Sequence, residues 1–195
     1  MSEYIVGVNP KEYNGRKFRS TLEAHTAETL DKMGIPWEYE TKKITLQDGF
    51  YCQYQKDKVR SISYTPDFVI GPIMLETKGF ETTVWNLKKK LLYKYLTENE
   101  PGAIFYMVKN DKQLLQALDK HWSYLGYAVK VTPKPSKKAT VPEGFTLGYK
   151  LYDSIEQAMA DLNLSNKPIG SILRSLTGKT EYIFNYNWKL VKINL

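Results

Sequence analysis

The residues from Tyr64 to Gly79 constrain the fold most strongly, because their order is typical of a short β-hairpin. Two apolar runs, Phe68–Ile70 and Ile73–Leu75, stand on either side of the dipeptide Gly71-Pro72. Short apolar runs predict buried strands, and a Gly-Pro dipeptide between them predicts the turn that joins them. We therefore expect a hairpin at the centre of the fold, with its two open ends side by side.

Three charged residues meet at the open end of this predicted hairpin. Asp67 precedes the first strand, and Glu76 and Lys78 close the second, two positions apart, so their side chains share a face. Neighbouring carboxylates repel each other unless a cation lies between them, and Mg²⁺ takes oxygen ligands from one or two protein carboxylates. The sequence thus predicts a divalent metal site beside an ammonium group that can orient a water or offset phosphate charge.

The alternative is a solvent-exposed hairpin in which Glu76 and Lys78 form only an ion pair. A Glu-x-Lys triplet alone carries little information, because it is common in charged proteins. Here a Pro-Asp pair precedes one apolar run and Glu-Thr-Lys-Gly ends the next, which favours the metal site. The sequence resembles the PD-(D/E)XK nucleases in this pattern.

Composition indicates a polyanionic partner and a reducing environment. The chain has 195 residues, 42% of them hydrophobic, which suits one domain with or without a small appendage. A formal net charge of +7 favours binding to nucleic acid, although an acidic membrane surface would attract it too. The single cysteine, Cys52, excludes an internal disulfide, and no apolar run approaches the ~20 residues of a membrane span. We expect a cytoplasmic protein without a membrane partner.

Glu23 has two interpretations, both of which place it on a helix from about residue 21 to 33. Ser20 and Glu23 have the spacing of a capping box, in which the two residues satisfy each other's backbone N–H groups. Alternatively, this helix presents Glu23 as a third carboxylate of the metal site. The local pattern favours the cap, whereas the family resemblance described below favours the third carboxylate.

Basic residues near these motifs are candidates for contacts with DNA phosphates. Lysines on the helix that follows Thr82 or Thr83 form either a solvated face or a phosphate clamp, and their position after Glu-x-Lys favours the clamp. The candidates in the first 147 residues are Arg16, Lys17, Arg19, Lys88, Lys89, Lys90, Lys134, Lys137 and Lys138.

The order α-β-β-β-α-β-α-β predicts an α/β nuclease core over residues 1–131, in which helices flank a mixed central sheet. Ala103–Val108 is expected to be a central strand, and Tyr127–Val131 the last strand of the core. Residues 132–147 are rich in proline and lysine, which predicts an extended basic linker and a domain boundary.

Residues 148–195 predict a small helix-turn-helix domain. Ser154 caps a first helix, and a second is expected from about Asn166 to Leu176, after a three-residue turn. The alternative is a small protein-interaction module with the same packing, but the basic linker and the nuclease pattern favour DNA. The expected exposed positions of the second helix are Lys167, Ser171, Arg174 and Ser175.

The first two-thirds of the chain resembles phage endonuclease I, the Holliday-junction resolvase family of the T-odd phages. The resemblance rests on Phe-Arg-Ser-Thr-Leu-Glu with Lys-Met-Gly in residues 18–34, Trp-Glu-Tyr-Glu at 37–40, Tyr-Thr-Pro-Asp-Phe at 64–68 and Glu-Thr-Lys-Gly at 76–79. It implies the following catalytic set: Glu23, Asp67, Glu76 and Lys78. It also implies metal ligation by Asp67, Glu76 and the Thr77 carbonyl, with Glu23 assisting a second ion. Hydrolysis would then be in-line attack of a metal-activated water.

Two departures from that family affect the expected function. Family members are intertwined dimers that exchange strands, whereas residues 47–63 here are longer and can fold back as their own hairpin, which puts a strand-exchanged homodimer in doubt. Residues 152–158 and 171–179 are similar to the modular helix-turn-helix repeat of homing endonucleases, which adds Lys179 to the DNA-binding candidates.

These expectations combine into a sequence-directed DNA endonuclease of homing type that acts on double-stranded DNA in a bacterial or phage-infected cell. Mg²⁺ is the expected cofactor, and Mn²⁺ should replace it. A structure-selective junction resolvase is the first alternative. A non-catalytic DNA-binding protein is the second, and retention of all four polar site residues argues against it.

Overall fold

A computed structural model describes residues 10–54, 57–135, 144–145 and 147–193. The elements in chain order are β1 (Lys11–Tyr13), β2 (Arg16–Phe18), α1 (Thr21–Lys32), β3 (Glu38–Tyr39), β4 (Ile44–Gln47), β5 (Phe50–Cys52), β6 (Asp57–Val59), β7 (Ile62–Tyr64), β8 (Phe68–Ile70), β9 (Ile73–Thr77), α2 (Thr83–Asn99), β10 (Ile104–Val108), α3 (Asp111–Asp119), β11 (Tyr127–Pro133), β12 (Lys150–Tyr152), α4 (Ile155–Asp161), the 3₁₀ helix η1 (Ile169–Ser171), α5 (Leu173–Leu176) and β13 (Tyr186–Lys192). The α/β class is confirmed.

The chain divides into two compact units, one of residues 36–109 and one that combines residues 1–35 with 110–195. The unit of residues 36–109 holds a four-stranded mixed sheet in the order β10-β9-β8-β3. Only β9 and β10 are parallel, and the other neighbours are antiparallel. This sheet contains the predicted hairpin.

The hairpin β8–β9 forms as its sequence predicts. Gly71 has a φ of +56° in the turn, a backbone conformation that glycine adopts at little cost. Phe68 pairs with Leu75 and Ile70 with Ile73, so the same register places Asp67 opposite Glu76. The buried apolar strands thus hold two carboxylates at one end of the sheet.

Helix α2 covers the sheet with an aromatic cluster. Thr82, one of the two caps that the sequence allows, caps the helix by accepting the backbone N–H of Trp85. The rings of Trp85, Tyr64 and Phe105 lie within 5.5–6.4 Å of one another, centroid to centroid. The expectation that residues 103–108 form a central strand is wrong, because β10 is an edge strand of the described sheet. Its apolar side chains are covered instead by this cluster.

A two-stranded antiparallel ribbon leads into the hairpin. Strand β4 pairs with β7, and β5 pairs with β6 further out, so the described residues of 47–63 fold back on themselves as predicted. A register shift between Thr45 and Gln47 marks a bulge at the base of the ribbon. A Cβ added to Gly49 would lie 2.9 Å from the Val59 carbonyl oxygen, so the ribbon strands approach closely there.

The unit that includes residues 110–193 carries α1 and α3 next to a separate three-stranded sheet in the order β12-β11-β13. Strand β11 pairs with β13 over its whole length, from Tyr127–Lys192 to Pro133–Tyr186. The expectation that residues 127–131 complete the nuclease sheet is therefore wrong. Functional domain boundaries at 131 and 148 stay a prediction, although residues 150–152 and 186–192 share a sheet with β11.

The second C-terminal helix is shorter than predicted. Ser154 caps α4 as expected by accepting the Gln157 N–H, and Gln157 Oε1 in turn accepts the Asp153 N–H, one residue before the cap. The expected second helix begins as the 3₁₀ turn η1 after Pro168, and only four residues of α5 follow. Glycine at position 170, a poor helix former, accompanies this break. No helix in the described ranges is both long and apolar enough to span a bilayer.

Candidate metal-dependent nuclease site

Asp67 lies buried at the open end of the hairpin and is held by Thr77. The Thr77 backbone N–H donates a 2.7 Å hydrogen bond to Asp67 Oδ2, and the Thr77 hydroxyl donates a second of 2.8 Å to the same oxygen. Asp67 is 3% exposed. Two donors fix the orientation of this carboxylate, which a surface ion pair would not require.

Glu76 is a second buried carboxylate, 7% exposed, at the end of β9. The Tyr64 hydroxyl donates a 2.8 Å hydrogen bond to Glu76 Oε2, and Lys78 Nζ lies 3.6 Å from Oε1. Burial and then the negative charge of Asp67 raise the pKa of Glu76 to about 7, against the opposing effects of Tyr64 and Lys78. The pair thus carries more negative charge than its protein neighbours neutralise.

Lys78 is fixed by its backbone and by an aromatic ring. Its N–H donates to the Val108 carbonyl at 3.1 Å, which continues the β9–β10 pairing by one residue. Its ammonium lies 4.6 Å from the centroid of the Trp85 ring, a cation–π contact. The predicted convergence of Asp67, Glu76 and Lys78 is present.

The donor set of this cluster fits a hard divalent cation. The two carboxylates supply oxygen ligands only, and Mg²⁺ prefers such ligands while keeping several waters. Among the described residues of 36–109, no third His, Cys, Asp or Glu side chain joins Asp67 and Glu76 in a metal-holding group. A metal ion that takes few protein ligands therefore fits this site better than an ion that must be coordinated entirely by side chains.

Glu23 belongs to the other compact unit and occupies a capping box. Its backbone N–H donates to Ser20 Oγ at 3.2 Å, and the Ser20 hydroxyl donates to Glu23 Oε1 at 2.9 Å. The Arg19 N–H donates to Glu23 Oε2 at 3.0 Å. The capping interpretation is confirmed, and a catalytic role of Glu23 stays a prediction.

The predicted lysine clamp on α2 is only partly available for phosphates. Lys89 Nζ lies 2.7 Å from Glu81 Oε2, and this pair raises the pKa of Lys89. Lys88 Nζ donates to the Ser63 carbonyl at 3.2 Å, whereas Lys90 is exposed. Lys90 is therefore the lysine of this trio that is placed best for a phosphate.

The remaining DNA-binding candidates are spread over the other unit. Lys137 and Lys138 lie outside the described residues. The side chain of Ser171 is half-buried. The candidates with exposed side chains there are Arg16, Lys17, Arg19, Lys134, Lys167, Arg174 and Lys179.

Acidic neighbours surround two of these cations. Arg174 and Lys179 line a cleft of about 90 Å³ together with Glu28 and Asp111. The pKa of Glu28 is lowered mainly by its hydrogen bond with Lys32, and Lys179 adds a smaller effect. Phosphate binding at this cleft would compete with these acids.

The expectation that Ser175 is exposed is wrong. Ser175 is buried, its hydroxyl oxygen accepts the Trp188 N–H at 3.0 Å, and the hydroxyl lies 3.2 Å from the Glu181 carbonyl oxygen. The short helix α5 thus turns this side chain toward β13.

Sequence reasoning missed three contributions to the site. Tyr64 was part of the motif, but its hydroxyl had no assigned role, and the Thr77 side chain and the Trp85 ring were not expected near the charged residues. Tyr64 pairs with Ile44 and is buried at the sheet end, and this long-range pairing is not encoded in any local pattern. The contact between Lys78 and Trp85 depends on how α2 packs, which no local pattern encodes.

Comparison with known proteins places these residues within a known family. The family model described as Phage endonuclease I matches residues 6–108, which is more than half of the 195 residues. No curated protein and no solved structure matches the chain. The matched range contains Glu23, Asp67, Glu76 and Lys78. The chain therefore belongs to the phage endonuclease I family, a family of nucleases that act on DNA.

Proposed function

We propose that the chain is a divalent-metal-dependent endonuclease that hydrolyses DNA phosphodiester bonds at Asp67, Glu76 and Lys78. The observation that carries this proposal is the buried carboxylate pair, in which burial and the charge of Asp67 raise the pKa of Glu76 to about 7. Mg²⁺ or Mn²⁺ would relieve this excess of negative charge, held by Asp67, Glu76 and the Thr77 carbonyl. Glu23 is proposed to assist a second ion.

Each side chain of the cluster has a separate task in this proposal. When bound, the ion acts as a Lewis acid that offsets phosphate charge and lowers the pKa of a water. Thr77 fixes Asp67, and Tyr64 fixes Glu76, so both carboxylates keep their orientation when substrate arrives. Lys78, between Glu76 and the Trp85 ring, places an ammonium where it can donate to a phosphate oxygen or orient the attacking water.

The finer proposal is that cutting is sequence-directed, of homing type, with residues 148–193 choosing the target. Its support is the capped helix α4, followed by the exposed Lys167, Arg174 and Lys179. Residues 150–152 and 186–192 pair with β11, so deleting the C-terminal segment would expose that strand and its apolar face. Point substitutions at Arg174 and Lys179 are therefore the appropriate test of target choice.

Cleavage of branched DNA is the second candidate, and the family match over residues 6–108 favours it. The short α5 also favours it, because four helical residues present few side chains to a DNA groove. In this case the core alone would select the substrate by its shape.

The deciding experiment compares cleavage of a four-way junction with that of a linear genomic fragment, with Mg²⁺ and with a chelator. Cutting at defined positions of the linear fragment, shifted or lost in Arg174→Ala/Lys179→Ala, supports sequence direction. Cutting of the junction alone rejects sequence direction and leaves the nuclease assignment intact. Equal cutting with the chelator would contradict metal dependence.

A further inference from the structure

The β4–β7 and β5–β6 pairs form one continuous ribbon that projects from the catalytic unit. Gln47 pairs with Ile62 and Phe50 with Val59. Beyond the bulge, the β4–β7 and β5–β6 strand pairs therefore continue in the same antiparallel register. The base of the ribbon ends at Tyr64, whose hydroxyl holds Glu76. The ribbon is thus connected directly to the site where we propose that DNA is cut.

The outer ribbon exposes large side chains that a protein interior would normally bury. Tyr54, beyond the end of β5, is 99% exposed, and Tyr51 is 61% exposed. Phe50 and Val59 are exposed to a lesser degree. Single exposed apolar residues are normal on protein surfaces and need no explanation. Several exposed aromatic residues on one element, as on this ribbon, indicate a binding surface.

The two faces of the ribbon differ in charge. Because side chains alternate along paired strands, Tyr51 lies on the same face as its partner Lys58 and as Arg60. We name Tyr51, Lys58 and Arg60 the basic face. The opposite face carries the paired residues Phe50 with Val59 and Cys52 with Asp57. One face is thus cationic and aromatic, and the only acid of these strand pairs lies on the other.

We propose that this ribbon is a DNA-binding arm that lies along a groove of duplex DNA next to the cleaved phosphate. The basic face contacts backbone phosphates, and Tyr54 reaches the bases at the groove floor. This inference rests on the proposed function in one respect, namely that DNA is cut at the site of Asp67, Glu76 and Lys78. Charge complementarity identifies the occupant, because a cationic and aromatic surface suits the backbone phosphates and the base edges, including thymine methyl groups, that a duplex groove presents.

The dimensions of the ribbon agree with this assignment. A major groove about 12 Å wide admits a two-stranded β-ribbon. Ten residues separate Tyr54 from Tyr64, which at about 3.3 Å per residue limits the reach of the arm to about 33 Å. At about 3.4 Å per base pair, the tip therefore contacts DNA within about ten base pairs of the cut.

The first test measures the affinity of the full-length protein for duplex DNA in the presence of a chelator, as a function of salt. Tyr54→Ala should weaken binding about five-fold or more, because it removes the side chain that contacts base edges at the groove floor. Lys58→Ala/Arg60→Ala should reduce the slope of log K against log salt by about 0.9 for each lost phosphate contact.

Matched controls separate the arm from general effects. Val59→Thr changes the opposite face of the same ribbon, and Tyr124→Ala removes a tyrosine that is 68% exposed in the other unit. Both should bind DNA like the wild type. Unchanged affinity and salt slope in the arm variants would overturn the proposal, as would equal weakening by Val59→Thr or Tyr124→Ala.

A cross-linking experiment tests the position of the arm. Cys52 is the single cysteine, so Tyr54→Cys in a Cys52→Ser background gives one reactive thiol at the tip. Disulfide trapping to thiol-tethered duplexes should succeed within about ten base pairs of the cut and fail further away. Trapping of a second protein chain in preference to DNA would reassign the ribbon to a protein interface and overturn the proposal.

Failure of this inference can be told apart from failure of the proposed function. If the protein cuts DNA and the arm variants bind normally, the arm is wrong and the nuclease stands. If wild-type protein binds duplexes through the arm but cleaves no DNA with Mg²⁺ or Mn²⁺, the nuclease is wrong and the arm stands. In that case cross-linking maps the arm relative to the end of the bound duplex.

Discussion

The Tyr64 hydroxyl donates a 2.8 Å hydrogen bond to Glu76 Oε2 and thereby joins the base of the projecting ribbon to the carboxylate pair. Both groups are buried, so the bond is shielded from water. It lowers the pKa of Glu76 against the larger effects of burial and of Asp67. Tyr64 is therefore a positioning residue that favours the charged form of Glu76.

Removal of this hydroxyl in Tyr64→Phe should shift the acid limb of the pH–rate profile to higher pH. Without the hydrogen bond the pKa of Glu76 rises further, so less of the carboxylate is ionised near neutral pH. Cleavage should fall at neutral pH and recover in alkaline buffer. Tyr93→Phe is the matched control, since Tyr93 also packs against Phe105 but lies half exposed. An equal loss of activity at every pH in Tyr64→Phe would point to misfolding instead.

The metal-free protein should become less stable as pH rises from about 4.5 to about 7 because of Glu76. Its pKa is about 7 in the folded state and 4.5 ordinarily, so the folded state holds a proton that the unfolded chain releases. This contribution is complete below the unfolded pKa and disappears as pH rises through 7, which costs up to about 3 kcal/mol.

Urea unfolding in the presence of a chelator, from acidic to alkaline pH, measures this effect. Glu76→Gln should remove most of the pH dependence, because an amide does not titrate. Added Mg²⁺ should stabilise the wild type at alkaline pH and have little effect on Glu76→Gln. A flat stability profile of the wild type between pH 4.5 and about 7 would contradict the raised pKa.

Local sequence patterns predicted the hairpin and the helix caps because neighbouring residues determine them. Gly71 permits the turn, and that turn sets the register that brings Asp67 opposite Glu76. Ser20 and Glu23 are three residues apart and form their capping box without distant partners. The core of the site was predictable for the same reason, since its charged residues lie close together in the chain.

Long-range pairing could not be predicted in this way. The apolar run of residues 104–108 is compatible with an edge strand as well as with a central one. In the structure α2 packs against this strand and shields it from solvent, and the length of the apolar run does not predict that packing. Strand β11 pairs with residues more than fifty positions later, and nothing near Tyr127 specifies that partner. The contact of Lys78 with Trp85 depends on the same kind of tertiary packing.

Lys78→Ala should abolish cleavage and leave DNA affinity close to that of the wild type. The ammonium lies at the carboxylate pair and contributes one charge among many basic residues, so its loss affects chemistry more than binding. Lys94→Ala is the control. That exposed lysine of α2 lies 3.9 Å from Glu98 and has no proposed part in cleavage. Single-turnover cleavage and equilibrium binding measure the two effects, and loss of both together would show that Lys78 is structural.

Glu23→Gln should separate the cap from the proposed catalytic role. Glutamine also serves in a capping box, so the melting temperature should change little. If Glu23 assists a metal ion, loss of its charge should lower cleavage by a factor of ten or more, roughly the effect of removing a metal-supporting group. Full activity of Glu23→Gln would restrict Glu23 to capping the helix.

Asp119 should be essential for attaching the C-terminal segment to the rest of its unit. This buried carboxylate accepts the Trp122 Nε1–H and the Ile155 N–H at Oδ1, both at 2.7 Å, and the Glu156 N–H at Oδ2 at 3.0 Å. Burial raises the pKa of Asp119, and these three donors oppose that rise. Asp119→Ala would leave buried donors without an acceptor, which should cost about 2–4 kcal/mol of unfolding free energy.

Asp119→Asn tests whether geometry or charge dominates at this position. An asparagine keeps one acceptor oxygen but turns an NH₂ group toward one of the donors, so its stability should lie between those of wild type and Asp119→Ala. Denaturant unfolding followed by tryptophan fluorescence reports this directly, because Trp122 is one of the donors.

Because Asp119 orients the first turn of α4, both variants should also weaken any discrimination between DNA targets by residues 148–193. Wild-type target choice in a clearly destabilised Asp119→Ala protein would argue that this segment does not read DNA.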